Sequence, residues 1–380
     1  MGKITILYLL SAFNEENIYF NQLVEGLDKD RYRPIICYLR GPTPDKTVLK
    51  NEGYPVITFP YSKKDLRSLK FGLAVRIRNI LKEEGVDIIH AYRHKPTIYA
   101  ALAAFGLSGV MIISSAIAQN QSRSIMRRFQ NRLLLPRVDA IVSVSEAVRR
   151  DVLEHNPCVG PGKVKTVYCT IDLKRFSAPM PDKREARHGF GLPVDKWIWG
   201  SVGRLVPVKG HDILFRAFSV AGLAGMGGHV AVAGDGRLRG ELERMAEGLG
   251  LAGHVTFLGR VDDIPGFLAG VDGFVFPSRN EGLGLALVEA LASGALCVGS
   301  DVGGISEVLG GLDKKGYAIL VPPGDPSALA SAMKEVMSWD KDRKAAAAKA
   351  GRERALDFDI VKMMEEMDRM YQGLHEGVAL

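Results

Sequence analysis

Two glutamates, Glu281 and Glu289, bracket the apolar run Gly282-Leu283-Gly284-Leu285-Ala286-Leu287-Val288. A mostly helical path through that run would set the two carboxylates about 12 Å apart along the axis, room enough for a diphosphate between them. Carboxylates accept paired hydrogen bonds from vicinal hydroxyls, and N–H groups at a helix N-terminus receive phosphate. Gly282 and Gly284 allow close backbone approach, which offers the N–H groups of Leu283, Gly284 and Leu285 to phosphate oxygens. Upstream, Arg204 and Lys209 stand in Gly203-Arg204 and Lys209-Gly210. Fixed cations of this kind would clamp a diphosphate and neutralise it as it departs. Together these groups match the ribose diol, the pyrophosphate and the sugar hydroxyls of a nucleoside diphosphate sugar.

Such groups need strands to hold them. Short apolar runs at 4–10, 35–39, 56–59, 87–90, 111–115, 140–144 and 164–167 alternate with amphipathic segments, the rhythm of a parallel sheet covered by helices. After a stretch rich in Pro, Lys and Arg the rhythm restarts at 197–202, 229–233, 255–258, 273–276, 296–300 and 318–321. The reading is α/β: two Rossmann-like, doubly wound domains facing a central cleft, with a linker near 178–195. The first covers 1–185 and the second 186–357. A charged helical region at 344–374 ends the chain, and its last part, about 358–380, is expected to return to the first domain. Open α/β sheets bind ligands beyond the carboxyl ends of their strands. The loops to inspect are therefore 11–15, 90–95, 114–120, 203–210, 234–236, 259–261 and 277–284. The arrangement places Ser11, His90, Arg93, His94 and Lys95 among the cleft residues; the last four crowd one strand-end loop whose charge suits a phosphate-bearing or lipid-linked acceptor, the alternative being a solvated loop.

The chain has 380 residues, is nearly half apolar and carries a net charge of +7. That is enough for two hydrophobic cores. The positive excess belongs to the first half, concentrated in 63–82 and 123–137, where Arg and Lys interleave with apolar residues. Each segment reads as a basic amphipathic helix, and two in one domain point to an anionic membrane surface. Nucleic acid is not expected as a partner, since no helix-turn-helix, zinc-finger or aromatic RNA-binding pattern occurs. The four cysteines are far apart and suit a reducing cytoplasm. The opening apolar run is too short for a signal peptide, so Met1 is expected to belong to the mature fold. No charge occurs between Lys95 and Arg123, but Gly106-Leu107-Ser108-Gly109 divides this stretch into a helix and a strand rather than one membrane span.

The second half resembles the retaining glycosyltransferases of family 4, which have the GT-B fold. Besides the pairs above, the ordered series includes Gly234-Asp235-Gly236, Val255-Thr256-Phe257-Leu258-Gly259, Pro277-Ser278-Arg279-Asn280-Glu281-Gly282-Leu283-Gly284, Glu289-Ala290 and Gly303-Gly304 through Glu307. The resemblance implies that Arg204 and Lys209 bind the pyrophosphate after Gly203, that Glu281 contacts the donor-sugar hydroxyls and that Glu289 holds the ribose. It also implies that Leu283 and Gly284 donate backbone N–H groups and that the backbone at Arg260 and Val261 receives the base. Neither a cofactor nor a metal is implied, and the sequence shows no metal-ligand cluster.

The first half departs from the family pattern. Tyr92 replaces the second histidine of a His-x-His strand end, and Ser11-Ala12-Phe13 stands where many members have a Gly-Gly loop. Ser114-Ser115-Ala116 occupies the place of a sugar-contacting histidine, and Cys169-Thr170-Ile171-Asp172 that of Asn-Gly-Ile-Asp.

The expected activity is hexosyl transfer from a UDP- or GDP-sugar to a hydroxyl of a glycolipid, lipopolysaccharide or polysaccharide, with retained configuration. The expected location is cytoplasmic, peripheral on the inner membrane. The alternatives are a sugar-nucleotide 2-epimerase, a noncatalytic nucleotide-sugar binder, and a dinucleotide-dependent oxidoreductase suggested by Gly234-Asp235-Gly236 and Gly240.

Overall fold

All thirteen expected strands occur among the described residues, with ends displaced by at most a few positions. The computed structural model describes residues 2–12, 18–41, 53–119, 124–177 and 180–378. Phe13, Asn120 and Arg123, on which expectations partly rest, lie outside the described residues.

The first sheet contains β1 (Ile4–Leu10), β2 (Tyr32–Tyr38), β3 (Val56–Thr58), β4 (Ile88–Tyr92), β5 (Met111–Ala116), β6 (Ala140–Ser143) and β7 (Val164–Thr166). The second contains β8 (Trp197–Val202), β9 (Gly228–Ala233), β10 (Val255–Gly259), β11 (Gly273–Phe276), β12 (Leu296–Ser300) and β13 (Ile319–Val321). Their orders are β3-β2-β1-β4-β5-β6-β7 and β10-β9-β8-β11-β12-β13, parallel throughout. Parallel sheets are covered on both faces, which is why their strands are continuous apolar runs. Every residue of β4, β11 and β12 is buried. In each sheet the strand order reverses once, between β1 and β4 and between β8 and β11, and ligands gather beyond the strand ends at such a point.

The chain divides into two compact units, Met1–Cys169 with Ile360–Leu380, and Thr170–Asp359. The break comes earlier than the expected boundary at 185. The described part of the expected linker is folded into the second unit, because helix Lys183–Gly189 is closed by a capping box at Asp182 and anchored by Arg187. The buried Arg187 guanidinium donates to the carbonyls of Gly270 (2.9 Å) and Val194 (2.8 Å) and to Asp272.

The charged end of the chain is two helices, Lys341–Ala355 and Ile360–His375, parted by a short turn at Leu356–Phe358. The latter belongs to the first unit. It buries Met363, Met367, Met370 and Tyr371, and its Asp368 accepts a 2.6 Å hydrogen bond from the Tyr32 hydroxyl. The uncharged stretch after Lys95 is helix His94–Ala103 followed by β5. Among the described residues no helix is long and apolar enough to cross a membrane. The two basic segments form helices Phe71–Glu83 and Ile125–Leu134, each with large apolar side chains in solvent.

Candidate functional site

In the second unit, the loops after β8 and β11 flank the reversal of strand order and bring two predicted residues together. Lys209 Nζ donates to Glu281 Oε2 at 2.6 Å, with both side chains 18% exposed. The ammonium also lies 5.0 Å from the Phe276 ring centroid, and the buried Ser278 hydroxyl is 3.5 Å from the same carboxylate oxygen. A cation and an anion at one strand-end corner, half-sheltered from water, interact more strongly than an exposed pair.

A clasp that sequence reasoning missed holds this corner. Arg279 donates from both terminal nitrogens to Asp212 (2.9 and 2.7 Å) and to the Pro207 carbonyl (2.6 Å). Its backbone N–H donates to the Val208 carbonyl at 2.8 Å. Desolvation pushes the Asp212 carboxyl up, yet the Arg279 hydrogen bonds and charge outweigh it and hold the group below its ordinary value. The clasp thus ties the loop bearing Glu281 to the loop bearing Lys209. Arg279 stands inside the recognised motif, but its spacing carries no sign of a partner in the helix that begins at His211.

The Glu281–Glu289 segment is only half helical. Its helix begins at Leu285 (Leu285–Ser293), because Gly284 adopts φ +96°, a left-handed turn that other residues rarely accept. Glu281 therefore lies in the preceding loop, and the 12 Å helical spacing does not apply. No side chain caps the helix at Gly284. Leu283 and Gly284 are buried, and the Gly304 N–H, at the start of helix Gly303–Asp313, donates to the Glu281 carbonyl at 3.4 Å. Glu289 is half-buried in the helix; desolvation pushes its carboxyl up to about 7, with Arg175 pulling it partly back.

Gly203 precedes the exposed Arg204, which shares the loop with Lys209 and stands outside the Lys209–Glu281 pair. Arg260 is exposed and pairs with Asp262 at 3.0 Å, and half-buried Val261 follows it. Both come after the edge strand β10, two strands from β8, so they stand apart from the pair.

In the first unit, His90 lies inside the sheet and not in the loop beyond the strand end. It is fully buried in β4, with Nδ1 2.8 Å from the Tyr371 hydroxyl and Nε2 2.7 Å from the Ser115 hydroxyl, stacked on Tyr92. Tyr371 in turn meets the Tyr8 hydroxyl at 3.0 Å. Burial pushes the imidazole down to about 3. Since the unfolded group takes up its proton near pH 6.5 and the folded one only near 3, this site's contribution to stability falls as pH drops through that window. Replacing His90 by Leu should cost about 1–3 kcal/mol of unfolding free energy by stranding the buried Ser115 hydroxyl and removing one of the partners of Tyr371, and leave nucleotide-sugar affinity unchanged. Urea titration and calorimetry would check the two parts.

Ser11, Arg93, His94 and Lys95, by contrast, line one open cavity of about 640 Å³, bounded also by Arg67 and Arg127. It lies beyond β1 and β4, where the first sheet's strand order reverses.

The chain matches the family described as "Glycosyl transferases group 1" over residues 182–354, and "Glycosyltransferase Family 4" over 17–175. It is 31% identical over 258 residues to the lipopolysaccharide core biosynthesis mannosyltransferase LpsB of Rhizobium meliloti, covering 64% of this chain and 68% of that protein. The chain belongs to the group 1 glycosyl transferases. This glycosyltransferase is also 28% identical over 301 residues to the N-acetylgalactosamine-N,N'-diacetylbacillosaminyl-diphospho-undecaprenol 4-alpha-N-acetylgalactosaminyltransferase of Campylobacter jejuni, across 77% of this chain and 78% of that one. Its fold is GT-B. The crystal structure of Anabaena HepE in complex with UDP superposes with a TM-score of 0.84 at 20% identity, over 97% of this chain and all of that one. Membership in a transferase family replaces the oxidoreductase alternative, and the Gly234-Asp235-Gly236 turn instead stitches strand ends: the Gly234 N–H donates to the Gly259 carbonyl at 2.7 Å and Leu205 N–H to the Asp235 carbonyl at 2.8 Å.

Proposed function

We propose that this transferase moves a hexosyl unit from a UDP- or GDP-sugar to a hydroxyl of a glycolipid, lipopolysaccharide or polysaccharide acceptor, with retention at the anomeric carbon. The Lys209–Glu281 pair at the strand-order reversal of the second sheet carries this reading. Lys209, with Arg204, would neutralise the leaving diphosphate; Glu281 would accept hydrogen bonds from the donor sugar. Leu283 and Gly284 would offer backbone N–H groups to phosphate, Glu289 would hold the ribose, and the backbone at Arg260–Val261 would meet the base. In the reaction the bond from C1 to the diphosphate oxygen breaks and that from C1 to the acceptor oxygen forms on the same face. The acceptor proton passes to the departing phosphate, so no separate base is required. Protein cations supply the charge stabilisation, and neither metal nor cofactor enters the proposal.

The donor assignment is tested by a thermal-shift panel of UDP-, GDP- and ADP-sugars, followed by product analysis with and without acceptor. A ligand that binds the folded chain raises its melting temperature. No shift with any of the three, or release of an epimerised nucleotide sugar without acceptor, would overturn the reading.

The Glu289 role makes a pH prediction. A carboxylate receiving two ribose hydroxyls favours ionisation, so binding lowers a carboxyl that burial holds up near 7. Affinity for a UDP-sugar, whose own phosphates do not titrate there, should rise from pH 5.5 to about 7 and then level off. Calorimetry across that range checks it. Glu289→Gln should remove the slope and Glu289→Ala should weaken nucleotide binding, whereas a flat wild-type profile would count against the ribose contact.

We also infer that the first unit meets an anionic membrane surface from the cytoplasmic side. Phe71 (69% exposed) and Val75 stand beside Lys70 and Arg76, and Ile125 and Phe129 beside Arg128 and Arg132. Such helices lie in the interface rather than cross it. Flotation with anionic but not zwitterionic vesicles is the expected outcome.

A further inference from the structure

The cavity of the first unit is more specific than a basic surface. Four cations, Arg67, Arg93, Lys95 and Arg127, line about 640 Å³, and no Asp or Glu is among its described lining residues. They come from three places in the chain: the turn before helix Phe71–Glu83, the end of β4, and helix Ile125–Leu134. Desolvation lowers the Lys95 ammonium, and the nearby Arg40 and Arg127 charges lower it further. Desolvation also lowers the His94 imidazole, helped by Arg127. Cations that disfavour one another gain most from an anion placed among them. The buried His94 Nε2, which has no hydrogen-bond partner among the described residues, is a further polar atom of a residue on this wall.

Arg93 adds an independent sign. It is the single non-glycine residue with positive φ among the described residues, at φ 73° and ψ 170°, a region used almost solely by glycine. The surroundings enforce it: Arg93 N–H donates to the Ser115 carbonyl at 3.0 Å, and the Arg93 carbonyl accepts from Thr97 N–H (3.2 Å) and hydroxyl (2.9 Å). Such strain gathers at ligand clamps.

An apolar rim adjoins the cations. On helix Ile125–Leu134, Met126, Arg127 and Gln130 line the cavity, while Ile125 (78% exposed), Phe129 and Leu133 form an i, i+4, i+8 stripe in solvent. A purely hydrophilic anion leaves that stripe unused. We propose that the cavity seats the phosphate of a lipid-linked acceptor, with Arg67, Arg93, Lys95 and Arg127 on the anion and the hydrocarbon lying along Ile125, Phe129 and Leu133. This rests on the transferase reading above and names its acceptor as a hydroxyl-bearing saccharide carried on an alkyl or prenyl phosphate or diphosphate.

The test uses the full chain and three probes: decyl phosphate below its micellar concentration, decanol, and inorganic phosphate. Calorimetry should show decyl phosphate binding at least about tenfold more tightly than either of the others, with affinity falling as salt rises. The Arg67→Gln/Arg127→Gln double variant should lose about tenfold in that affinity. Phe129→Ser/Leu133→Ser should weaken decyl phosphate but not inorganic phosphate. Equal binding of decyl phosphate and decanol, or indifference to the arginine substitutions, would overturn the anion site. Inorganic phosphate binding as well as decyl phosphate would overturn the lipid assignment. UDP- and GDP-sugar binding measured on the same samples separates these failures from failure of the donor reading.

Discussion

Replacing Lys209 by Ala should lower the rate of sugar transfer by about 10²–10³-fold, the range seen when one preorganised group opposite a developing negative charge is removed. The loss should fall on kcat more than on KM, because charge on the leaving diphosphate grows only as the C1–O bond breaks. Lys209 is held by two supports, its 2.6 Å bond to Glu281 and the ring of Phe276. Removing the ammonium takes away the nearest partner of the 18%-exposed Glu281 carboxylate and leaves it the 3.5 Å contact to Ser278, so some stability is lost too. Lys209→Arg keeps the charge but spreads it over a fork too large for the same space, and should recover only part of the rate. Glu281→Gln separates the roles further. It leaves the lysine in place and removes the charge that would orient the sugar. Steady-state kinetics with donor hydrolysis as a second readout measures all three variants; wild-type kcat in Lys209→Ala would remove this residue from the leaving-group site.

The strands were legible because buried parallel strands need apolar side chains on both faces, and such runs recur at intervals set by the intervening helices. The strand-end rule points from those strands to the 203–210 and 277–284 loops. What it did not reveal was long-range pairing. Asp212 and Arg279 are 67 positions apart, and neither residue type predicts the other. His90 misled for a related reason. Histidine beside Arg93, His94 and Lys95 reads as part of a cationic loop, but β4 ends at Tyr92, so His90 remains inside the sheet while the next residues leave it. Its partner, Tyr371, comes from the last helix, beyond any local pattern. The domain break was displaced because Pro-, Lys- and Arg-rich composition resembles a linker, whereas Arg187 is buried against backbone carbonyls and Asp272. Glu281 shows the opposite case. Its place in the strand-end loop after β11 is readable from the sequence, but the helix start at Leu285 depends on the backbone turn that Gly284 makes.

A large stability effect is expected at Gly210. Its φ of +69° is left-handed, and a Cβ built there would meet the Pro277 carbonyl oxygen at 2.0 Å. That oxygen cannot withdraw easily, because the two loops are joined by Arg279 N–H to the Val208 carbonyl at 2.8 Å and by the Arg279–Asp212 clasp. Gly210→Ala should therefore cost about 3–4 kcal/mol in urea unfolding, the sum of backbone strain and forced separation of the loops. Gly222→Ala provides the comparison: Gly222 has φ +63° but nothing within 4 Å of the added atom, so it should lose only about 1–2 kcal/mol from the left-handed backbone. The difference between the two variants isolates the clash. Transfer should also fall in Gly210→Ala at temperatures where it remains folded, since displacement of the adjacent Lys209 by about 1 Å can cost 10²-fold in rate. Equal losses in both glycine variants would mean that the 207–212 and 277–281 loops yield freely, and the clasp would then position neither Lys209 nor Glu281.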